Sequence, residues 1–214
     1  MLDLTGINST LQSIIASIEL NLPIMASLVG FTFFIQILNV ALGYRLCAFG
    51  IHPRHLLGLV GIPLSPFIHG SFNHFFSNAM VFFAMANLIV LEGQQQFILI
   101  TAIITVLGGL ATWLVGRSAV HVGASGIIMG YWGYLLVNAY HHPTLMTIMM
   151  GILCLYFFGG LLSSMIPDDA KESWESHVFG VVAGVASSYL YPYIVPYVSH
   201  DLDAFSRTLN QVSF

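Results

Sequence analysis

Charged side chains are scarce in this sequence. Asp, Glu, Lys and Arg make up only 7% of its 214 residues, whereas a typical soluble domain has about 25%. Most of the surface is therefore expected to face lipid and not water. The five basic residues are scattered along the chain, so they form no patch of the kind that binds nucleic acid, and we expect no nucleic-acid partner.

Cysteine is also scarce, and we expect no N-terminal targeting segment. The two cysteines are Cys47, in a predicted connection, and Cys154, in an apolar run. We expect no disulfide between them, and the cysteine count indicates no particular compartment. No basic segment precedes a short apolar run at the N-terminus, so we predict no cleaved signal peptide.

Long apolar runs dominate the sequence instead, and hydrophobic residues make up 57% of it. Only helices and closed barrels satisfy their backbone hydrogen bonds inside lipid, and barrel strands alternate polar with apolar residues over about ten positions. The runs here stay apolar for about twenty residues, so we predict an all-α polytopic membrane protein with both termini on the same side. Its six transmembrane helices are expected at 24–44, 74–91, 97–115, 125–140, 145–166 and 176–197.

The chain is expected to have three parts. Residues 1–22 are predicted to form an amphipathic helix on the membrane interface, which Pro23 ends. Residues 23–198 form the six-helix membrane domain, and residues 199–214 form a polar C-terminal tail. We find no internal repeat of the kind seen in transporters and no second domain.

Two kinds of connection join the predicted helices. The long connection 45–73 is too apolar for a solvated loop, so we expect it to be folded and partly sunk in the bilayer. The turns that contain Glu92 and His141-His142 are short and polar, and we expect them to be solvated.

The fourth helix is unusually short. Its apolar run ends at Tyr140 after about fifteen residues, or roughly 22 Å, whereas the hydrocarbon core is ~30 Å thick. If Tyr140 reaches one membrane surface, Ser125 lies below the other, at a helix N-terminus whose free N–H groups stabilise negative charge. A hydroxyl in that position either serves close packing or acts as a nucleophile.

Three further polar residues are expected at the depth of Ser125. His74 and Asn78 lie four residues apart on the second helix and share one face, and His177 begins the sixth helix. Helices two, four and six start on the same side because successive spans alternate in direction. Ionisable residues at such positions are costly and are mostly functional.

These residue types suit hydrolysis by a serine nucleophile. His177 can take the proton of Ser125 and so make the hydroxyl a nucleophile. The backbone N–H of Ser125, the Asn78 amide and His74 can stabilise the oxyanion that follows. No carboxylate lies in the spans at this depth, so we predict a Ser–His dyad and not a triad. Position 127 is Ile, so the G-x-S-x-G motif of α/β-hydrolases is not met.

Other interpretations stay open at this point. The Gly123-Ala124-Ser125-Gly126 run is also typical of a close-packing surface, and His74 with Asn78 suits an interhelical hydrogen-bond pair. A metal or proton transporter is a third interpretation, although no acidic residue lies inside a span to complete a relay or a divalent site. Its ligands would be His69, His74, His121 and His177.

The motifs resemble, in order and each on its expected helix, those of the rhomboid family of intramembrane serine proteases. The resemblance extends from about Arg54 to Gly184. It is carried by three groups of residues: Pro66-Phe67-Ile68-His69-Gly70-Ser71 with His74 and Asn78; Gly116-Arg117 with Gly123-Ala124-Ser125-Gly126; and Ser176-His177-Val178-Phe179-Gly180 with Gly184. The spacing of Gly180 and Gly184 also lets another helix backbone approach closely.

This resemblance implies a role for each matching residue. Ser125 would be the nucleophile and His177 the base, with His74 and Asn78 on the oxyanion side. His69 would help to hold the loop before the second span. Neither a metal nor another cofactor is implied.

The resemblance also implies a substrate class. The family cuts single-pass membrane proteins in or beside their transmembrane helix, after they enter sideways between the second and fifth helices. A mobile loop, here 167–175, would cover the site. The alternative function is that of a catalytically weak or inactive rhomboid-like protein that binds transmembrane clients; inactive relatives lack the serine or the histidine, and this chain has both.

The sequence departs from the family pattern in two places. Met129 stands where many rhomboids have an aromatic residue that packs against the base, so His177 is expected to be less firmly oriented. The Trp-Arg pair that some bacterial members carry in the long connection is not found.

The orientation implied by the resemblance conflicts with the charge distribution. Family members in a bacterial inner membrane keep both termini in the cytoplasm and the active site toward the periplasm or outside. That arrangement leaves only Arg207 inside, opposite to the positive-inside tendency, and we give the resemblance precedence. The four basic residues outside would be Arg45, Arg54, Arg117 and Lys171.

Overall fold

The computed structural model describes residues 4–166 and 173–212 of the chain. Within these residues the chain is helical, with short turns and 3-10 segments between seven α-helices. The prediction of an all-α fold is confirmed. The α-helices are α1 (Leu4–Ala41), α2 (Gly61–Leu64), α3 (Phe72–Val90), α4 (Gln94–Val115), α5 (Ser125–His141), α6 (Leu145–Phe158) and α7 (Trp174–Val212).

Five stretches of the described chain are long and apolar enough to cross a membrane, and α5 is the short sixth helix. α5 has 17 residues and packs against α3, α4, α6 and α7. Its side chains are buried on every side, among them Tyr131, Tyr134 and Leu135. The helix that begins with Ser125 is therefore the centre of the bundle. The five longer stretches are Ile15–Ala41, Phe72–Val90, Gln94–Val115, Leu145–Ser163 and Trp174–Val198.

Glycines bring the backbones of α5 and α7 into contact. A methyl group on Gly180 would collide with the carbonyl oxygen of Gly126, and one on Gly184 with the carbonyl oxygen of Gly130. The close approach predicted from the spacing of Gly180 and Gly184 is confirmed. Because His177 lies one turn before Gly180 on α7, this contact also sets its height relative to the start of α5.

The prediction that Pro23 ends a helix is wrong. α1 runs without a break from Leu4 to Ala41 and contains Pro23 in its interior. A proline frees one carbonyl group of the helix, whereas unwinding the chain around it would leave several backbone groups unpaired in lipid. The helix therefore continues through the proline. The interfacial position of residues 1–22 stays a prediction.

The sixth span, Trp174–Val198, agrees with the predicted 176–197, but the helix that contains it is longer. α7 begins at Trp174 and continues to Val212, with Pro192 and Pro196 inside it. The backbone of the predicted tail 199–214 is thus helical as far as Val212, and the side chains of that tail lie outside the described residues. Residues 167–172 of the predicted covering loop are also outside them.

The long connection 45–73 is folded, as predicted. Three 3-10 segments and the single turn of α2 fill it. Its Ile51 forms two backbone hydrogen bonds with His121, of 2.9 and 3.0 Å, and Ile62 packs against Gly109 of α4. The connection is therefore attached to the segment that leads into Ser125.

Glu92 does not lie in a solvated turn, so that prediction is wrong. Its carboxylate accepts hydrogen bonds from Tyr134 at 2.6 Å, Gln96 at 2.5 Å and Asn138 at 2.7 Å. Burial raises the pKa of Glu92, and the hydrogen bonds from Tyr134 and Asn138 oppose that rise. Two of the three donors are on α5, so Glu92 ties the α3–α4 turn to the end of α5 farthest from Ser125.

Candidate active site

Ser125 is the first residue of α5, and Gly123 forms the turn that precedes it. Gly123 has a φ of 110°, a conformation that only glycine adopts readily. Its N–H donates to the carbonyl of Ser65 at 2.9 Å. A methyl group on Gly123 would lie 2.7 Å from two atoms of the His74 ring. The glycine therefore permits both the turn into α5 and the approach of His74.

His177 lies in the first turn of α7 and is buried, with 6% of its surface exposed. The neighbouring Ser176 is close to α5, because a methyl group on Gly126 would lie 3.3 Å from its carbonyl oxygen. Gly126 directly follows Ser125 in the chain. The close packing of the two helix starts thus brings the imidazole into the neighbourhood of the serine.

His74 and Asn78 are on the first turns of α3. The hydroxyl of Ser71 caps this helix by accepting from the N–H of His74 at 3.1 Å. The Asn78 amide donates to the His74 carbonyl at 2.8 Å, and its side chain is buried. One N–H of that amide is committed to the helix, and the second is available to a ligand.

One cavity of about 530 Å³ is lined by Ser125, His177, His74 and Asn78. Met129, one turn along α5, lines the same cavity and is buried. The residues predicted to act together therefore share one space. No hydrogen bond joins Ser125 to His177 in the described part of the chain; catalytic hydrogen bonds are often long before substrate binds and tighten in the complex.

His69 is behind this cavity and touches the turn that leads into α5. Its Nε2 accepts from the backbone N–H of Ala124 at 3.4 Å, and its ring packs edge-on against His74, with centroids 5.0 Å apart. Burial and the neighbouring His74 lower the pKa of His69 to about 3. The ring is therefore neutral near pH 7, which suits its position beside a second histidine.

A hydrogen bond that the sequence did not predict connects the segments that precede Ser125 and His177. His121 is buried, and its ring forms a hydrogen bond with the hydroxyl of Ser173, which also lines the cavity. Nearby, the Arg117 guanidinium is 3.5 Å from the Glu175 carboxylate. The sequence offered His121 only as a ligand in the transporter interpretation, and nothing local indicated that Ser173, 52 residues later, would form a hydrogen bond with it.

The polar groups around the cavity are side chains and backbone amides. Three backbone N–H groups at the start of α5, those of Ser125, Gly126 and Ile127, point toward the end where the cavity lies and stabilise negative charge there. Among the described residues, no three His, Cys, Asp or Glu side chains are arranged to bind a metal ion. A hydroxyl, an imidazole and amide donors around one cavity are the components of acyl transfer.

Comparisons with known proteins agree with the geometry. A family model described as Rhomboid domain matches residues 53–194. An uncharacterized protein of Mycobacterium tuberculosis is 33% identical over 171 residues, which cover 76% of this chain and 71% of that protein. A Bacillus subtilis protein named "Putative rhomboid protease YdcA" is 27% identical over 134 residues, which cover 58% of this chain and 62% of that protein.

Proposed function

Because this chain belongs to the rhomboid family, we propose that it is an intramembrane serine endopeptidase that cleaves transmembrane segments of single-pass membrane proteins. The observation that carries this proposal is the shared cavity, in which Ser125, His177, His74 and Asn78 all form part of the lining. The chain is an integral membrane protein by its apolar helices and its family. The proposed location is a bacterial inner membrane with the cavity toward the periplasm or outside.

The proposed reaction has two halves. Ser125 Oγ attacks the scissile carbonyl while its proton passes to His177, and His177 then gives that proton to the leaving amine as the acyl-enzyme forms. Water attacks the acyl-enzyme, His177 accepts a proton from it, and the proton returns to Ser125 as the ester bond breaks. No metal or nucleotide takes part, so we expect chelators to leave cleavage unchanged.

The oxyanion of each half is stabilised by donors at the start of α5 and on α3. The backbone N–H of Ser125, the free N–H of the Asn78 amide and the His74 ring are the proposed donors. Each loss of one such donor typically costs 10²–10³-fold in rate, or about 2.7–4 kcal/mol. We therefore expect Asn78→Ala to lower kcat by about that factor and to change KM less.

Substrate is proposed to enter between α3 and α6. These helices do not pack extensively against each other in the described residues, although both pack on α5. Val81 of α3 and Leu161, which follows α6, both line the cavity. A transmembrane helix that unwinds at small or helix-breaking residues would free the carbonyl that Ser125 attacks.

Reconstitution with a panel of single-span membrane proteins tests the proposal. Wild type is expected to cleave at least one of them, and His177→Ala and Ser125→Ala are expected to lose more than about 10³-fold in rate. Ser77→Ala is the matched control, because Ser77 lines the same cavity from α3 without a proposed role. Binding of single-span proteins by wild type without any cleavage would instead support the client-binding alternative.

A further inference from the structure

Ser125 and His177 each follow one partner of the same half-buried polar contact, at the same distance in sequence. His121 is four residues before Ser125, and Ser173 is four residues before His177. The side chains of His121 and Ser173 are hydrogen-bonded to each other. The two segments that lead into the proposed nucleophile and base are thus joined directly, four residues before each of them.

Both ends of this link are anchored. The backbone of His121 pairs with Ile51 through hydrogen bonds of 2.9 and 3.0 Å. The whole residue is buried, with 3% of its surface exposed. The Ser173 hydroxyl also bonds to the hydroxyl of Ser176 at 2.7 Å, the residue directly before His177. The link therefore connects the segment before Ser125, which is held by Ile51 of the long connection, to the first turn of α7.

Hydrogen-bond chemistry gives the link a direction. Burial lowers the pKa of His121, so the ring is neutral near pH 7 and has one donor and one acceptor. Its Nε2 is 3.2 Å from the carbonyl oxygen of Arg117, and a carbonyl only accepts, so the proton is on Nε2. Nδ1 must then accept from Ser173, and Ser173 must accept from Ser176.

We infer that His121 is a positioning residue that sets the location of His177 relative to Ser125 through Ser173. This inference rests on the proposed function, since it assigns a role within the proposed dyad. The link acts on the start of α7, the helix turn from which the His177 side chain projects. His121 itself lies outside the lining of the catalytic cavity and acts through Ser173.

Two amide variants separate the two hydrogen bonds of the ring. His121→Asn carries an oxygen close to the place of Nδ1 and can accept from Ser173, whereas His121→Gln reaches the place of Nε2 and can donate only to Arg117. We expect His121→Gln to lower kcat by about tenfold to a hundredfold, as misplacement of a catalytic group by about 1 Å does. His121→Asn should restore most of that loss, with KM similar in all three proteins.

Further variants identify the partner and the control. Ser173→Ala should lower kcat like His121→Gln, and the double variant should be no slower than the slower single one, because both remove the same link. His55→Ala removes an exposed histidine from the long connection 45–73 and should behave as wild type. Thermal unfolding of each purified variant distinguishes a displaced base from a destabilised fold.

Nitrogen-15 NMR of histidine-labelled protein observes the link without any substrate. A protonated Nε2 and an unprotonated, hydrogen-bonded Nδ1 are expected for His121 near pH 7, and the Nδ1 signal should shift in Ser173→Ala. A proton on Nδ1, equal kcat values for His121→Asn and His121→Gln, or additive losses in the double variant would overturn the inference while wild type still cleaves. A wild type that cleaves no substrate would contradict the proposed function, and the positioning role with it.

Discussion

At the scale of single residues, Gly123 has the most demanding position in the site. Its φ of 110° and the His74 ring against its α-carbon each exclude a side chain. Gly93, in the α3–α4 turn, has a φ of 130° but no atom within 4 Å of the place where a methyl group would lie. Alanine substitutions at the two positions therefore distinguish the effect of backbone strain alone from the effect of strain combined with displacement of His74.

Gly123→Ala is expected to lower kcat by about 10²-fold or more, because the methyl group displaces His74 and the turn that sets the α5 N-terminus. Gly93→Ala should cost about 1–3 kcal/mol of stability through the same kind of backbone strain and leave kcat near the wild-type value. Cleavage rates and thermal unfolding of both variants are the measurement. Equal loss of activity in the two would show that His74 contributes nothing specific.

The candidate site residues could be read from the sequence, but their supports could not. Ser125, His74, Asn78 and His177 occur at helix starts, where alternation of spans alone predicts that they share one side. The bond between His121 and Ser173 joins residues far apart in sequence, and no periodicity or spacing encodes such a pairing. Local patterns thus predict which residues meet, whereas the hydrogen bonds that align them depend on the whole fold.

At the scale of helices, the contact between α5 and α7 determines the site. Gly184→Ala is expected to destabilise the protein by about 1–3 kcal/mol, since the methyl group collides with the carbonyl of Gly130 in a closely packed interface. Cleavage should fall as well, because α7 carries His177. Gly159→Ala is the control, since a methyl group there meets nothing within 4 Å. A Gly184→Ala protein that unfolds at the wild-type temperature would contradict this packing.

The turn at Glu92 makes the stability of α5 depend on pH. Burial raises the pKa of this carboxyl above its ordinary value of 4.5, so the folded protein binds the proton more tightly than the unfolded chain does. The stabilisation is then full below about pH 4.5 and is lost as the pH rises through the raised pKa. The unfolding temperature of wild type relative to Glu92→Gln should therefore fall as the pH rises above 4.5. A constant difference would contradict the raised pKa.

The sequence predicted helix boundaries well where a continuous apolar run crosses the lipid. The predicted spans 74–91 and 97–115 agree with α3 and α4 to within three residues, because a continuous apolar run has to be helical in a membrane. The predictions for Pro23 and Glu92 failed for opposite reasons. A local rule about proline was outweighed by the membrane, and a polar turn residue found partners on α5 that are 42 and 46 residues away.

At the scale of the whole molecule, the distribution of basic residues and the orientation usual in the family predict opposite orientations in the membrane. Two of the basic residues assigned to the outside are engaged by folded loops. Arg54 donates to the carbonyl of Gly116 at 2.7 Å and to Ser118 at 3.0 Å, and Arg117 pairs with Glu175. A basic side chain that is held by such contacts has less influence on membrane orientation than a solvated one. A simple count of basic residues is therefore a weak guide to the orientation here.

We therefore predict a cytoplasmic C-terminus. A green fluorescent protein fused there should fluoresce in a bacterial host, and an alkaline phosphatase fused there should be inactive, because each reporter requires its own compartment. The reverse pair of results would place the active-site cavity on the cytoplasmic side.

Covalent labelling by a fluorophosphonate, mapped by mass spectrometry, tests the central claim most directly. The account predicts one adduct, on Ser125, that forms at least about 10²-fold more slowly in His177→Ala and is absent in Ser125→Ala. Labelling of folded wild type at another serine, at Ser125 with the same rate in His177→Ala, or at no residue would contradict a Ser125–His177 dyad.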